Sequence, residues 1–159
     1  MAHFATLSRR GLLTGMAGLL VTPPVLAATA LPTIIVNRDP SCGCCGGWID
    51  HLRQAGFVVR VVETTDLQPV RARLGVPDDL AACHTGEVSG YVIEGHVPAA
   101  AIKRLLAELP TATGLAVPGM PVGSPGMEVE GFEPATFEVI LFGPSKQTVF
   151  GRYRGHEEV

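Results

Sequence analysis

Clustered positive charge is missing from this sequence. Its 12 lysines and arginines are scattered among 15 acidic residues, for a formal net charge of −3. Neither nucleic-acid phosphates nor an anionic membrane surface would find an electrostatic footprint here. Internal repeats and low-complexity tracts are also lacking, so a repeat architecture is excluded. Nor does the acid-free apolar run from Leu12 to Leu26 make a membrane span. Thr22-Pro23-Pro24 cuts it below the roughly 20 residues that a helix crossing a bilayer needs.

That run has another use. Ser8-Arg9-Arg10-Gly11-Leu12-Leu13 precedes it, and the small residues Ala27, Ala28 and Ala30 follow it, which is the layout of a secretory signal with a cleavage site. Residues 1–30 are therefore expected to be an export signal, removed after delivery outside the bacterial cytoplasm. The paired arginines ahead of a glycine-diluted run fit the twin-arginine variety, with an ordinary Sec signal as the alternative. Taking Arg9 and Arg10 from the 12 basic residues leaves 10 against 15 acidic ones, a mildly acidic −5. Residues 31–159, about 130 in all, suffice for one domain with a real core and not for two.

Four cysteines lie in that stretch, at 42, 44, 45 and 83. An even count in an oxidising compartment ordinarily suggests disulfides. Here the spacing resists full pairing, because Cys44 and Cys45 are neighbours. One trans peptide holds their Cα atoms about 3.8 Å apart, closer than a normal disulfide wants.

The element order places these thiols. Thr33-Ile34-Ile35-Val36-Asn37 reads as a buried first strand. Asp39-Pro40-Ser41 supplies turn and cap chemistry, and Trp48, Ile49, Leu52 and Ala55 recur at helical spacing until Gly56. Phe57 to Val62 is a second strand, and Asp66 to Leu74 a short helix ended by Gly75-Val76-Pro77. Ala82 to Val88 and Gly90 to Gly95 read as two strands joined by a tight turn, and Val97 to Leu109 as a helix with Pro98 in its first turn. The order β-α-β-α-β-β-α, with the thiols after the first strand, is that of an α/β thioredoxin-like domain. Beyond it lie a Gly/Pro/Met loop, Thr113 to Gly131, and a β-hairpin extension, Phe137–Phe142 and Thr148–Tyr153, around Gly143-Pro144-Ser145-Lys146.

Three thiols within four residues, in Ser41-Cys42-Gly43-Cys44-Cys45-Gly46-Gly47-Trp48, are hard to explain by packing. Backbone amides and the positive end of the helix dipole favour thiolate there, the form that attacks disulfides and binds soft metals. Converging thiolates repel one another unless a cation sits among them. Copper(I) is soft and accepts crowded thiolate sites, whereas structural zinc usually takes a tetrahedral set from two separated pairs. Zinc is the second candidate, since Cys83 and His84 could complete a tetrahedron.

Cys42-Gly-Cys-Cys-Gly-Gly-Trp, Ala82-Cys83-His84-Thr85, Glu94-Gly95-His96-Val97-Pro98 and the Pro118 to Met127 segment, in that order, resemble the periplasmic CopG-type copper-resistance proteins, a family also described as a domain of unknown function. The likeness runs from about Thr33 to Tyr153. It implies a thioredoxin-like fold in which Cys42, Cys44, Cys45 and Cys83 hold a sulfur-bridged, multinuclear copper(I) site in the periplasm. Copper resistance, homeostasis or copper redox handling is the implied role, with copper ions and other periplasmic copper proteins as partners.

Other residues divide between ligand and scaffold. His84 could bind metal, tune a thiol or hydrogen-bond a loop. Met120 and Met127 are soft enough to be copper(I) ligands, and we favour reading them as an apolar lid because four thiolates already supply soft donors. His51 is expected to cap or solvate a helix face, His96 to make a structural hydrogen bond, and Trp48 to sit in the core. The alternative function is a thiol-disulfide oxidoreductase with Cys42 as nucleophile and Cys45 as resolving thiol. That reading leaves Cys44 and Cys83 without a task, and Cys83-His84-Thr85 lacks the proline that thioredoxin-type enzymes place opposite the cysteines.

Overall fold

A computed structural model describes residues 30–159. Residues 1–29 of the expected export signal lie outside the described residues. The chain runs β1 (Ile34–Arg38), α1 (Gly43–Gln54), β2 (Val59–Glu63), α2 (Gln68–Leu74), a 3-10 turn (Asp78–Leu80), β3 (His84–Val88), β4 (Tyr91–Glu94), α3 (Ala99–Glu108), β5 (Gly114–Ala116), β6 (Thr136–Gly143), β7 (Lys146–Arg154) and β8 (Glu157–Glu158). All eight strands join one sheet in the order β2-β1-β3-β4-β5-β6-β7-β8. β1 pairs parallel with β2 and antiparallel with β3, and β3 pairs antiparallel with β4. No helix among the described residues is long and apolar enough to cross a membrane.

Period-two alternation along the strands sends apolar side chains to two faces. Ile93, Leu115 and Val139 join Trp48, Ile49 and Leu52 of α1 and Ile102 and Leu105 of α3 in the main core. Their neighbours Val92, Ala116 and Ile140 join Val76, Leu80 and Phe142 in a smaller cluster, with Leu74 at the end of α2. Helices α1 and α3 thus cover one face and the α2 segment the other. β2 forms an edge of the sheet, and Val61 and Val62 on it are exposed.

Several boundaries differ from the sequence reading for local reasons. The second strand starts two residues late, because Phe57 turns into the core while Val58 points to solvent. Helix α1 begins at Gly43 with Cys42, not Ser41, in the N-cap position and with no side-chain cap. Asp39 instead accepts the Ser41 N–H, and the Cys42 N–H bonds back to Asp39 O at 3.1 Å. Val97 and Pro98 precede α3 rather than opening it. Within the Gly/Pro/Met stretch, Gly114–Ala116 forms the strand β5, parallel to β4 and antiparallel to β6, so the hairpin extension continues the main sheet.

Candidate metal centre

The centre is built where the C-terminal end of β1 delivers the chain to α1, beside the entry to β3. Cys42 occupies the N-cap position of α1, Cys44 and Cys45 lie in its first turn, and Cys83 immediately precedes β3. Because β1 and β3 are paired, with Arg38 opposite His84, the two segments arrive together. Cys44 Sγ lies 3.5 Å from Cys42 Sγ and 3.9 Å from Cys83 Sγ. All four sulfurs fall within 4.8 Å of one another. Cys45 is fully buried and the other three are half-buried. Cys42 and Cys45 are joined by a disulfide, while Cys44 and Cys83 are free.

The expectation of low thiol pKa at the start of α1 does not extend to Cys83. Burial, and then the neighbouring Cys44, push its pKa up to about 12. Without a cation the group is a thiol, and a thiolate there needs positive charge beside it.

A polar clamp holds the segment that carries Cys83. Glu94, fully buried, accepts hydrogen bonds from Arg71 Nε at 3.1 Å, the Ala82 N–H at 2.7 Å and Thr85 Oγ1 at 2.7 Å. Arg71 also donates to Ala82 O. Burial raises the Glu94 pKa against those donors, which all favour the carboxylate. A buried ion pair is costly to break, so Glu94 and Arg71 fix Ala82 and Thr85, the residues on either side of Cys83 and His84.

Two histidines face the same sulfur. His84 Nδ1 and His96 Nε2 each lie 3.2 Å from Cys83 Sγ. On its far side His84 Nε2 donates to Gly95 O at 2.9 Å, and His96 Nδ1 donates to Pro125 O at 2.8 Å. The His84 ring packs on Trp48 at 4.2 Å between centroids, tilted by 33°, and Trp48 Nε1–H donates to Val97 O at 2.8 Å. Both imidazoles are fully buried, and burial lowers both pKa values, that of His84 to about 3. His96 therefore makes the structural hydrogen bond expected of it and also reaches the cysteines, which sequence reasoning missed. The turn at Ser89-Gly90 held the signal, since Val88 pairs with Tyr91 and Thr85 with Glu94. Two residues further along, that register sets Cys83 opposite His96.

The loop from Pro118 to Met127 meets this site through its backbone. Gly126, at φ +85°, packs so closely on α1 that a Cβ there would stand 2.6 Å from Cys44 O and 2.5 Å from Trp48 N. Met127 is half-buried beside it, whereas Met120 is exposed. Gly95, at φ +71°, likewise leaves no room, with Val117 O 2.7 Å from its would-be Cβ. His51 does cap a helix, though not its own: its Nε2 accepts the Ala99 N–H of α3 at 3.0 Å. Its ring also meets His156, which bonds Glu128 at 2.9 Å.

A pH dependence follows for the metal-free protein. An unfolded histidine titrates near 6.5, whereas folded His84 stays neutral down to about 3 and His51 to about 4, each chiefly through burial. Between those values the unfolded chain binds more protons, so stability is complete above pH 6.5 and falls as the pH drops toward 3. His84 alone should cost about 2 kcal/mol by pH 5. Urea midpoints at pH 7.5 and pH 5 measure this, and equal midpoints would refute it.

Similar proteins were found by sequence and by structure. A family model described as a protein of unknown function, DUF411, matches residues 80–127. Among proteins with curated descriptions none matches. Two solved structures, described as forms 1 and 2 of copper resistance protein CopG, are each 44% identical to the chain with a TM-score of 0.72. Form 1 covers 79% of this chain and 99% of its own, and form 2 covers 77% and 98%.

Proposed function

The chain belongs to the family of copper resistance protein CopG, and from that membership we propose that it binds copper(I), more than one ion per chain, through Cys42, Cys44, Cys45 and Cys83. The observation that carries this reading is the convergence of four sulfurs within 4.8 Å from two separate chain segments. A soft, monovalent cation suits such a donor set, and sulfur bridging lets crowded thiolates share charge among several ions. Copper is the cargo here. The chain's own part is to hold the sulfurs together, with Cys83 pinned by the Glu94 clamp, and to cover them with the loop around Gly126. Met127 serves as lid in this reading.

All four sulfurs can act as thiolates only after the Cys42–Cys45 disulfide has taken up two electrons from a thiol reductant. The disulfide also favours the second reading, a thiol-disulfide oxidoreductase. Cys44 Sγ, 3.5 Å from Cys42 Sγ, is within reach of exchange. The β-α-β-α-β-β-α order supports a thioredoxin-like origin for the domain. The layout of residues 1–30 supports export to the periplasm by a twin-arginine signal, with residues 31–159 as the working protein in copper resistance or copper redox handling.

Copper stoichiometry with a free-thiol count decides between the readings. Reduced and loaded anaerobically with copper(I), the protein should hold more than one copper per chain, with all four thiols protected from alkylation. Weak copper binding, together with a Cys42–Cys45 disulfide that exchanges readily with small thiols, would establish the oxidoreductase. One tightly held zinc that copper(I) fails to displace would make the site a zinc site.

A further inference from the structure

Helices α1 and α3, the loop over the cysteines and the β7–β8 hairpin meet at one point outside the sulfur cluster, the carboxylate of Glu128. Its Oε2 accepts the N–H of Gly126, the residue packed on Cys44 O and Trp48 N, at 2.9 Å. Its Oε1 accepts from His156 Nε2, also at 2.9 Å. The His156 ring stands edge-on to His51 of α1, with centroids 4.6 Å apart and planes at 78°, and His51 Nε2 takes the Ala99 N–H that opens α3. Burial works against the charge on Glu128, but its own N–H, His156 and Gly126 outweigh it and hold the pKa below the usual carboxylate value.

The hairpin that carries His156 adds little to the core. Arg154 pairs with Glu157 across the two-residue turn Gly155-His156, and both residues of β8 are exposed and absent from the core clusters. Glu158 instead fixes the strand to Arg104 of α3 at 2.7 Å, which sets His156 against the loop. The loop is stiffened from within, by Ser124 N–H to Pro121 O at 3.0 Å, Met127 N–H to Ser124 O at 2.7 Å and Gly123 N–H to Met127 O at 2.8 Å. Its attachments are few. Among the described residues, two side-chain hydrogen bonds reach residues 118–131 from elsewhere in the chain, His96 to Pro125 O and His156 to Glu128. His96 is fully buried, whereas His156 and Glu128 are about half exposed. An exposed pair is worth little in water, so the loop opens first at its Glu128 end.

We propose that the β7–β8 hairpin is a releasable clasp, in which the His156–Glu128 bond sets how often the loop lifts from α1 and hence how fast copper(I) enters and leaves the cysteines. His156 and Glu128 act as positioning residues and touch no metal. The proposal takes its cargo from the copper reading above, while the opening of the loop does not depend on what the sulfurs hold.

Hydrogen–deuterium exchange tests the clasp directly. In His156→Ala the amides of residues 118–131 should exchange roughly 3- to 10-fold faster than in the parent, while those of β1 and β3 keep their rates. His156→Gln restores an N–H donor and should return the loop to the parent rate. After reduction and loading with copper(I), transfer to a chelator should be faster by the same factor in His156→Ala with equilibrium affinity unchanged, a split that a merely structural role would not give. Unchanged loop exchange in His156→Ala, a rise spread evenly along the chain, or a glutamine variant as fast as alanine would each overturn the clasp. Faster loop exchange with an unchanged copper transfer rate would overturn its hold on the metal. A reduced protein that binds no copper(I) discards the copper reading, and the exchange rates then still decide whether the clasp exists.

Discussion

Replacing Cys44 with serine should strip the reduced protein of most of its copper(I) while leaving the fold in place. Cys44 stands between Cys42 and Cys83, within 3.5 and 3.9 Å of their sulfurs, so a cluster of bridged ions loses its central bridge. Serine is nearly isosteric but hard, and a hydroxyl is a poor partner for copper(I). We expect affinity for the bridged ions to fall roughly 100-fold, about 2.8 kcal/mol. The side chain is absent from both core clusters, so the unfolding midpoint should move little. Chelator competition and circular dichroism measure the two halves of this expectation. Unchanged copper capacity would remove the shared thiolate cluster from consideration. An oxidoreductase built on Cys42 and Cys45 would instead keep its exchange activity in this variant.

The second large effect is expected at Gly126. Alanine there meets two penalties. The φ of +85° is a region that residues with a Cβ rarely adopt, and the added methyl would lie 2.5 Å from Trp48 N and 2.6 Å from Cys44 O, both backbone atoms of α1. Helix backbone cannot move aside cheaply, so the loop must lift. Strain of about 1–2 kcal/mol and overpacking of about 1–3 kcal/mol give an expected loss near 3 kcal/mol. Faster proteolysis within residues 118–131 should accompany it. Because Pro125 O holds the His96 ring, the same change should loosen that imidazole. A variant as stable and as protease-resistant as the parent would show that the loop does not depend on this contact.

The parts of the molecule written in local signals could be read before the structure. β1 follows from the β-branched run at Ile34, α1 from the spacing of Trp48, Ile49 and Leu52, and the β6–β7 hairpin from its turn residues, since each depends on neighbours in the chain. β5 could not be read that way. Its three residues sit in a Gly/Pro-rich stretch, and they are a strand only because β4 and β6 flank them. The grouping of Cys83 with the loop cysteines was legible in the crowding of thiols and in the family likeness. The place of His96 was legible only in part, because the turn at Ser89-Gly90 sets the β3–β4 register while the carbonyl that orients the ring lies 29 residues downstream. Met120 shows the limit of reading by composition. Its thioether is chemically suited to copper(I), but the residue is 56% exposed.

Cys42 and Cys45 lie within one helical turn, whereas Cys83 joins them only when β1 and β3 have paired. That difference becomes a matter of rates. Sheet domains of this size fold in milliseconds to seconds, while disulfide formation takes seconds to hours. Oxidation therefore acts on a finished fold, in which all four sulfurs already surround the place a metal would take. If the four cysteines hold copper as proposed, copper and oxidant then compete for the same two thiols, Cys42 and Cys45, so the history of the compartment would be recorded in each molecule as either a filled four-cysteine site or a disulfide.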